Sequence, residues 1–175
     1  CADVFDASFQ GKYEEYFDFV FSLRFLWIFE GPLPAIEVHL NLLKEGGYLL
    51  ISMPNYGDGT FYRWLARKTC REQDIMKAHN IRLMKIPAFE QYLAELDNCE
   101  ILKLGYIGPI DIAMITSAAP VIKRSWIRIP LIAFNFALGY LTLFLDSEIL
   151  SPHLVLIARK RKQVIPICKS NARRI

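Results

Sequence analysis

The sequence predicts a single domain of the α/β class, and three observations support this prediction. Two short apolar runs, Phe17–Leu23 and residues 48–53, are bounded by chain-breaking residues, as strands buried on both faces usually are. A stretch whose apolar residues have helical spacing lies between them. The chain of 175 residues is 53% hydrophobic and 22% charged, so it can build one sizeable core and has the composition of a globular protein.

The first helix is predicted over residues 34–44. Pro34 suits a first helical turn, and Gly46 and Gly47 are expected to end the helix, because glycine readily adopts the left-handed backbone that terminates helices. Strand, helix and strand within residues 17–53 make a βαβ unit, whose right-handed crossover makes the two strands parallel. The apolar face of this helix consists of Ile36, Leu40 and Leu43.

The later elements continue the alternation of helices and strands. A glycine-containing loop precedes a helix predicted over residues 61–71, and an amphipathic helix is predicted over residues 87–98. Two further strands are predicted over residues 99–106 and 154–158. The predicted order is therefore strand, helix, strand, two helices, strand, a long insertion and a final strand.

The insertion, residues 110–150, is the least regular part of the sequence. Within it, residues 129–145 form a run of 17 residues without a charge, which is at the lower edge of what could span a bilayer, so a transmembrane helix is the least favoured interpretation. The run is interrupted by the polar or small residues Asn135, Gly139 and Thr142. We expect a packed helix or a lid here, and a helix lying on a membrane surface is the alternative.

The charges are unevenly distributed along the chain. From Arg159 onward there are seven basic residues and no acidic one, which leaves 14 basic and 18 acidic residues before that point. The basic tail, residues 161–175, has the composition to contact nucleic acid or anionic lipid. A solvated, disordered terminus is the simpler expectation, so we predict no nucleic-acid partner.

Cysteine and histidine residues give no sign of a disulfide framework or a metal site. The four cysteines are widely separated and include no CxxC pair. His39 and His153 have no companion at the spacing of metal ligands, so we assign no metal. A reducing, cytoplasmic location fits this use of cysteine.

Five segments of the sequence carry a family resemblance: CADVFDASF, YFDFVFSLRFLWIF, AIEVHLNLLKEGGYLLISMPN, HNIRLMKIPAFEQYLAELDNCEILKLGY and HLVLIARK. In this order they resemble the second half of a class I S-adenosylmethionine-dependent methyltransferase of the small-molecule type. The resemblance extends over residues 2–160, so residues 1–160 are expected to form the carboxyl-terminal part of such a domain.

The resemblance also implies the architecture of the sheet. It predicts a Rossmann-like sheet that is mostly parallel, with one antiparallel strand near the carboxyl terminus and helices on both faces. The strands at 99–106 and 154–158 are expected to form an antiparallel pair beside the strand at 48–53. The strand Phe17–Leu23 is expected to have no neighbour on its outer side, because the strand that pairs there in the family has no counterpart in this sequence.

Two short segments resemble the part of the family's site that holds S-adenosylmethionine. Asp3 matches the acidic residue whose carboxylate accepts a hydrogen bond from the adenine amino group, and Val4 matches its apolar neighbour. An aspartate at this kind of position is also a common turn or cap residue, which is the alternative for Asp3. Ser22, Leu23 and Arg24 match the segment that lines the methionine part of the cofactor through its backbone.

Asn55 and Tyr56 occupy positions that face the substrate in the family, and His79 begins a stretch that the family uses to cover its active site. His79 is therefore a candidate general base, and a surface or capping histidine is the alternative. Methyl transfer is an in-line displacement at an activated carbon, so positioning and exclusion of water can supply most of the catalysis without a base.

The sequence departs from the family pattern in two respects. Relatives often carry an acidic residue and a histidine where this chain has Trp27 and Ile28, so no proton transfer by histidine is expected there. The glycine-rich loop that approaches the cofactor and the acidic residue that holds the ribose hydroxyls also have no counterpart. We therefore expect the amino-terminal half of the domain to be missing from this sequence.

These observations favour one function and leave two alternatives. The favoured function is S-adenosylmethionine-dependent methyl transfer to a small molecule, glycan or lipid precursor, by a cytoplasmic enzyme of which this sequence is a fragment and which is inactive without the rest. One alternative is a non-catalytic binding or assembly module. The other is a membrane-surface protein that makes peripheral contact through residues 129–145.

Overall fold

The computed structural model describes residues 3–68, 73, 77, 80–111, 125–142, 144 and 146–162. Four strands form one sheet in the order β1-β2-β4-β3: β1 (Phe17–Leu23), β2 (Leu43–Pro54), β3 (Cys99–Ile107) and β4 (His153–Lys160). The α-helices are α1 (Ala7–Tyr13), α2 (Leu33–Asn41), α3 (Phe61–Lys68), α4 (Ile86–Leu93) and α5 (Ser125–Leu141), with short 3-10 helices at Leu26–Ile28 and Ile81–Met84.

Strands β1 and β2 are parallel and are connected by α2, which confirms the predicted βαβ unit. Pro34 lies in the first turn of α2. Backbone N–H groups in a first turn make no hydrogen bond within the helix, so proline costs no bond there. The buried face of α2 packs in the same core as β2 and β4, and its buried residues are Ala35, Ile36, His39 and Leu40.

The prediction that Gly46 and Gly47 end the helix is wrong. Helix α2 ends at Asn41 and β2 begins at Leu43, so both glycines lie inside the strand. The pairing moves from Phe17 opposite Leu43 to Phe19 opposite Tyr48, which makes this part of β2 a bulge. Gly46 has a φ of 79°, and a Cβ on Gly47 would lie 3.0 Å from the Lys44 carbonyl oxygen, so the bulge requires the glycine pair.

The prediction of a mostly parallel sheet is also wrong. Strand β4 lies between β2 and β3 and is antiparallel to both, so only the β1–β2 pairing is parallel. The expected antiparallel pair of β3 and β4 beside β2 is confirmed. Strand β3 runs in the same direction as β1 and β2, but the central position of β4 makes two of the three pairings antiparallel.

The core lies on one face of the sheet. Side chains alternate between the two faces of a strand, and those of β2 and β4 that share the α2 side are almost fully buried: Leu49, Ile51, Met53, Leu154, Leu156 and Ala158. Phe89 and Leu93 of α4 complete this core. Helices α2 and α4 therefore cover the same face of the sheet.

The opposite face is exposed along β1. We call this region the outer face and define it by Phe19, Phe21, Leu23 and Tyr48, whose side chains are 51%, 62%, 57% and 43% exposed. Strand β1 is also at the edge of the sheet in the described part of the chain, as predicted. An edge strand with an apolar, uncovered face is an unusual surface for a monomeric protein.

Helix α5 lies within the predicted insertion. It is attached to the residues after β3, because the Ile110 backbone N–H donates to Thr142 Oγ1 at 2.8 Å and Asn135 Nδ2 donates to Asp111 Oδ1 at 3.0 Å. Across the residues that the structure describes, no helix combines the length and the apolar character needed to cross a membrane. The basic tail predicted at 161–175 lies outside the described residues after Lys162.

Candidate functional site

The ends of three strands meet at one edge of the sheet. Leu23 at the end of β1 is paired with Ser52, and Pro54 at the end of β2 is paired with His153 at the start of β4. Ile107 at the end of β3 is also paired with His153. Open α/β sheets bind their ligands outside the carboxyl ends of their parallel strands, so this edge is the candidate site.

The predicted cofactor segment after β1 lies at this edge. Ser22 is buried, Leu23 belongs to the outer face, and the Arg24 backbone N–H donates to the Ser52 carbonyl oxygen at 2.8 Å. Arg24 has a φ of 56°, in the left-handed region that few residues other than glycine adopt. The chain therefore turns sharply out of the sheet directly after its last bond to β2.

The second predicted cofactor segment lies beside the first. One carboxylate oxygen of Asp3 accepts a hydrogen bond from the Phe5 backbone N–H at 2.9 Å, so Asp3 forms a turn while its side chain stays exposed. The Phe5 ring contacts the rings of Phe25 and Phe29, with centroids 6.4 and 5.7 Å apart. These contacts place Asp3 and the half-buried Val4 next to the loop that follows β1.

Asn55 is fully buried, and the protein itself uses its amide group. Nδ2 donates to the carbonyl oxygens of Glu148 and Ser151 at 2.7 and 2.9 Å, and the backbone N–H donates to the Pro152 carbonyl oxygen at 2.8 Å. These bonds attach the loop before β4 to the end of β2. Oδ1 is buried and has no hydrogen-bond partner among the described residues, so it is the Asn55 atom that a ligand could still engage.

Tyr56 is also buried, and its backbone N–H donates to the Met84 sulfur at 3.2 Å. Its side chain packs with Tyr62, Ala66 and Met84 in a second, smaller core. The side chain therefore forms part of the wall behind the site. His79, the candidate base, lies outside the described residues.

The structure also brings to this edge a histidine that the sequence analysis set aside. Burial lowers the pKa of His153, and nearby Arg24 lowers it further, while Asp111 and the Met53 backbone raise it. Its Nδ1 atom is buried and has no hydrogen-bond partner among the described residues. A neutral imidazole at this position can accept a proton. The sequence places His153 at the start of the final predicted strand, but it does not show that this position pairs with Pro54 at the end of β2.

Asp111 connects this edge to α5. Its backbone N–H donates to the Tyr62 hydroxyl oxygen at 2.8 Å, and its side chain accepts from Asn135 as described above. Burial raises the pKa of Tyr62 to about 12, so the phenol stays protonated at neutral pH. Arg24, Asp111 and His153 are thus one group of polar residues at the carboxyl end of the sheet.

A mainly apolar cleft of about 380 Å³ lies between α5 and the residues that follow β3. Its lining is Pro109, Ile110, Asp111, Asn135, Phe136, Gly139 and Tyr140. Asp111 is the one charged residue in this lining, and it also influences His153. The cleft can therefore hold an apolar molecule whose polar group points toward Asp111.

Comparison with known proteins shows similarity in fold. No protein-family model matches the sequence, and no curated protein matches it. The crystal structure of the MccD protein is similar with a TM-score of 0.52 and 16% sequence identity, over 91% of this chain and 66% of that chain.

Two further solved structures are similar at lower scores. A SAM-dependent methyltransferase from Archaeoglobus fulgidus has a TM-score of 0.44 and 15% identity, over 91% of this chain and 66% of its own. Phosphoethanolamine N-methyltransferase 2 from Haemonchus contortus, solved with S-adenosyl-L-methionine, has a TM-score of 0.46 and 16% identity, over 86% of this chain and 34% of its own. This chain thus spans less than two thirds of the length of each of the three. It has the fold of the class I S-adenosylmethionine-dependent methyltransferases.

Proposed function

We propose that this chain is part of a methyltransferase that transfers the methyl group of S-adenosylmethionine to a small molecule, glycan or lipid precursor. The observation that supports the proposal is the contact of the Phe5 ring, which directly follows Asp3 and Val4 in the chain, with Phe25 and Phe29 in the loop after β1. Two segments that the family resemblance assigned to the same cofactor are thereby neighbours at the ligand-binding edge of this fold.

The residues at this edge fit parts of the cofactor. The exposed Asp3 carboxylate still offers acceptor capacity for an amino group, because the turn uses one of its two oxygens. Val4 offers an apolar contact for the adenine ring, and the sharp turn at Arg24 brings backbone groups of residues 22–24 to the edge of the sheet. When bound, S-adenosylmethionine supplies a methyl group on a positively charged sulfur.

The chain's own residues would orient the acceptor and remove its proton. The cleft beside α5 offers an apolar surface on which an apolar acceptor could be oriented for an in-line reaction. His153 is kept neutral by burial and by Arg24, so it can take the proton that an amine or hydroxyl acceptor loses. We assign His153, in addition to His79, as a candidate base.

We also propose that the remainder of the domain lies upstream of this sequence. The sequence lacks a glycine-rich cofactor loop, the edge of β1 is unpaired in the described part of the chain, and the outer face is exposed. A preceding strand and its helices would pair with β1 and cover that face.

The role of Asp3 can be tested in this chain extended upstream by the preceding gene sequence. Asp3→Ala is expected to weaken binding of S-adenosylmethionine about tenfold or more, because a hydrogen bond to a charged group contributes roughly 1.5–3 kcal/mol. Asp3→Asn keeps an acceptor for the Phe5 N–H, so it separates loss of the turn from loss of the carboxylate. Isothermal titration calorimetry measures the affinity.

Asp18→Ala is the matched control for this experiment. Asp18 is an exposed aspartate near the other end of β1, where it pairs with Lys44 at 2.9 Å. We expect this variant to bind the cofactor with unchanged affinity. Equal affinities for Asp3→Ala and the parent chain would contradict the assignment of Asp3.

One observation favours a second candidate function. The unpaired edge of β1 and the outer face are suited to adding a strand from another chain, as a binding or assembly module would do. Such a module would keep its partner when extended upstream and would bind no S-adenosylmethionine. The calorimetric titration therefore distinguishes the two functions.

A further inference from the structure

Helix α5 exposes a wide apolar surface. The inward side of the helix carries Leu131, Asn135, Leu138 and Gly139, which are half-buried, and Thr142 directly after it is buried. The other side of the segment has large apolar side chains that are between 44% and 93% exposed: Ile129, Ile132, Phe134, Phe136, Tyr140, Leu141 and Phe144. On a helical projection this side spans more than half of the circumference. We call it the α5 face.

A helix on the surface of a globular protein normally presents polar residues to water. The α5 face has no charged residue from Ile129 to Phe144. Its exposed apolar residues are close together along one segment, so they form a patch and are not singly scattered surface residues. We therefore expect the α5 face to be covered by an apolar environment in the working protein.

The charges around the helix indicate which kind of apolar environment covers the α5 face. Residues 112–145 contain three basic residues, Lys123, Arg124 and Arg128, and no acidic residue. Arg128 belongs to the first turn of α5. Asp146 follows the segment, and its carboxylate lies 3.9 Å from Lys103 Nζ, which partly balances its charge. In the sequence, Lys123, Arg124 and Arg128 are a basic flank that precedes the aromatic and aliphatic run, and this combination is complementary to an anionic lipid surface.

We infer that the α5 face lies in the headgroup and upper acyl region of a lipid bilayer that contains anionic lipid, with the helix parallel to the surface. Helix α5 has 17 described residues, and within the part of the chain that the structure describes no helix is long and apolar enough to cross a bilayer. Its inward side is bonded to the fold through Thr142 and Asn135, so the helix can contact the lipid without leaving the domain. This inference does not depend on the proposed methyl transfer.

Flotation of the purified chain with lipid vesicles tests the inference. Vesicles of phosphatidylcholine with phosphatidylglycerol are expected to carry the chain to the top of a density gradient, and vesicles of phosphatidylcholine alone are expected to carry less. Added salt should reduce flotation with the anionic vesicles, because it screens the basic flank. The monomer fraction from size-exclusion chromatography is the sample for each protein, so aggregation through β1 cannot be mistaken for a failure to bind.

A double variant on the α5 face gives the sharpest comparison. Ile129 and Phe144 are 72% and 93% exposed and do not line the cleft, so Ile129→Asp with Phe144→Asp should leave the fold intact. The partition onto anionic vesicles is expected to fall about tenfold or more, because each lost apolar contact is worth at least roughly that factor.

The matched control carries the same change on the other exposed apolar surface. Phe19→Asp with Phe21→Asp alters the outer face, and its monomer fraction should float as the monomer fraction of the parent chain does. The inference is overturned if the parent chain stays at the bottom with anionic vesicles, or if both double variants lose flotation equally. A dimer that only the α5 variant abolishes, without flotation of the parent chain, would assign the face to a second copy and would also overturn the inference.

Discussion

Asn55→Asp is expected to destabilise the fold by roughly 3–5 kcal/mol, the range for leaving an uncompensated charge buried. Asn55 is fully buried and donates to the carbonyl oxygens of Glu148 and Ser151. A carboxylate has no N–H to give, so its oxygens would face two carbonyl oxygens without water. This loss is a large share of the roughly 5–15 kcal/mol that stabilises an average domain.

The effect of Asn55→Asp should depend on pH. Burial raises the pKa of the introduced carboxyl group, because burial disfavours the charged form. The variant is therefore expected to regain part of its stability as the pH falls to that raised pKa, since the protonated acid can donate to one of the two carbonyl oxygens. Denaturant unfolding followed by circular dichroism at several pH values measures both effects.

Asn98→Asp is the control for this substitution. Asn98 is exposed, so the same change in charge should alter stability by about 0.5 kcal/mol or less. If unfolding is irreversible, the apparent midpoints are compared at one scan rate. Equal destabilisation by the two variants would show that the bonds from Asn55 do not hold the end of β2 to the loop before β4.

The chain expressed alone is expected to aggregate through β1. The strand is at the edge of the sheet in the described part of the chain and exposes Phe19, Phe21 and Leu23 beside Tyr48. Unpaired ladder groups next to apolar side chains recruit further strands. The other edge strand, β3, carries the charged residues Glu100 and Lys103, which protect it.

Lysine substitutions test this difference between the two edges. Phe21→Lys with Leu23→Lys should convert most of the chain from aggregate to monomer, because charged side chains on an edge oppose pairing. Ile101→Lys with Leu102→Lys replaces exposed apolar residues of β3 and should leave aggregation largely unchanged. Size-exclusion chromatography with light scattering measures the monomer fraction. An equal gain from both pairs would mean that general hydrophobicity, and not the edge of β1, causes the aggregation.

The sequence was sufficient to predict those elements whose apolar residues recur with a regular period. The apolar runs of β1 and β2 and the helical spacing of α2 predicted the parallel unit, because a strand and an amphipathic helix leave different periods in the sequence. The prediction that β1 is buried on both faces is wrong, because Phe19, Phe21 and Leu23 are exposed. The family resemblance added the antiparallel pair of β3 and β4. The position of β4 between β2 and β3 was implied by that pair, but its effect on the balance of parallel and antiparallel pairings was missed.

Other features depend on contacts that the sequence does not reveal. Glycine with a positive φ serves both a helix end and a strand bulge, so Gly46 was consistent with either structure. Asn55 was predicted to face the substrate, but its amide meets carbonyl groups more than 90 residues away in the chain. His153 was set aside because it has no companion at the spacing of metal ligands, and the sequence did not reveal that Arg24 and Asp111 influence it from distant segments. The exposed side of α5 could not be distinguished from a packed side by composition alone.

We propose that this chain contributes one part of an S-adenosylmethionine site and that residues upstream contribute the rest. Calorimetric titration with S-adenosylmethionine tests it on two proteins, the 175-residue chain and the same chain extended upstream by the preceding gene sequence. We expect negligible binding and aggregation for the chain alone, and a soluble protein that binds the cofactor for the extended chain. A monodisperse monomer of the 175-residue chain that bound the cofactor at micromolar concentration would contradict the claim.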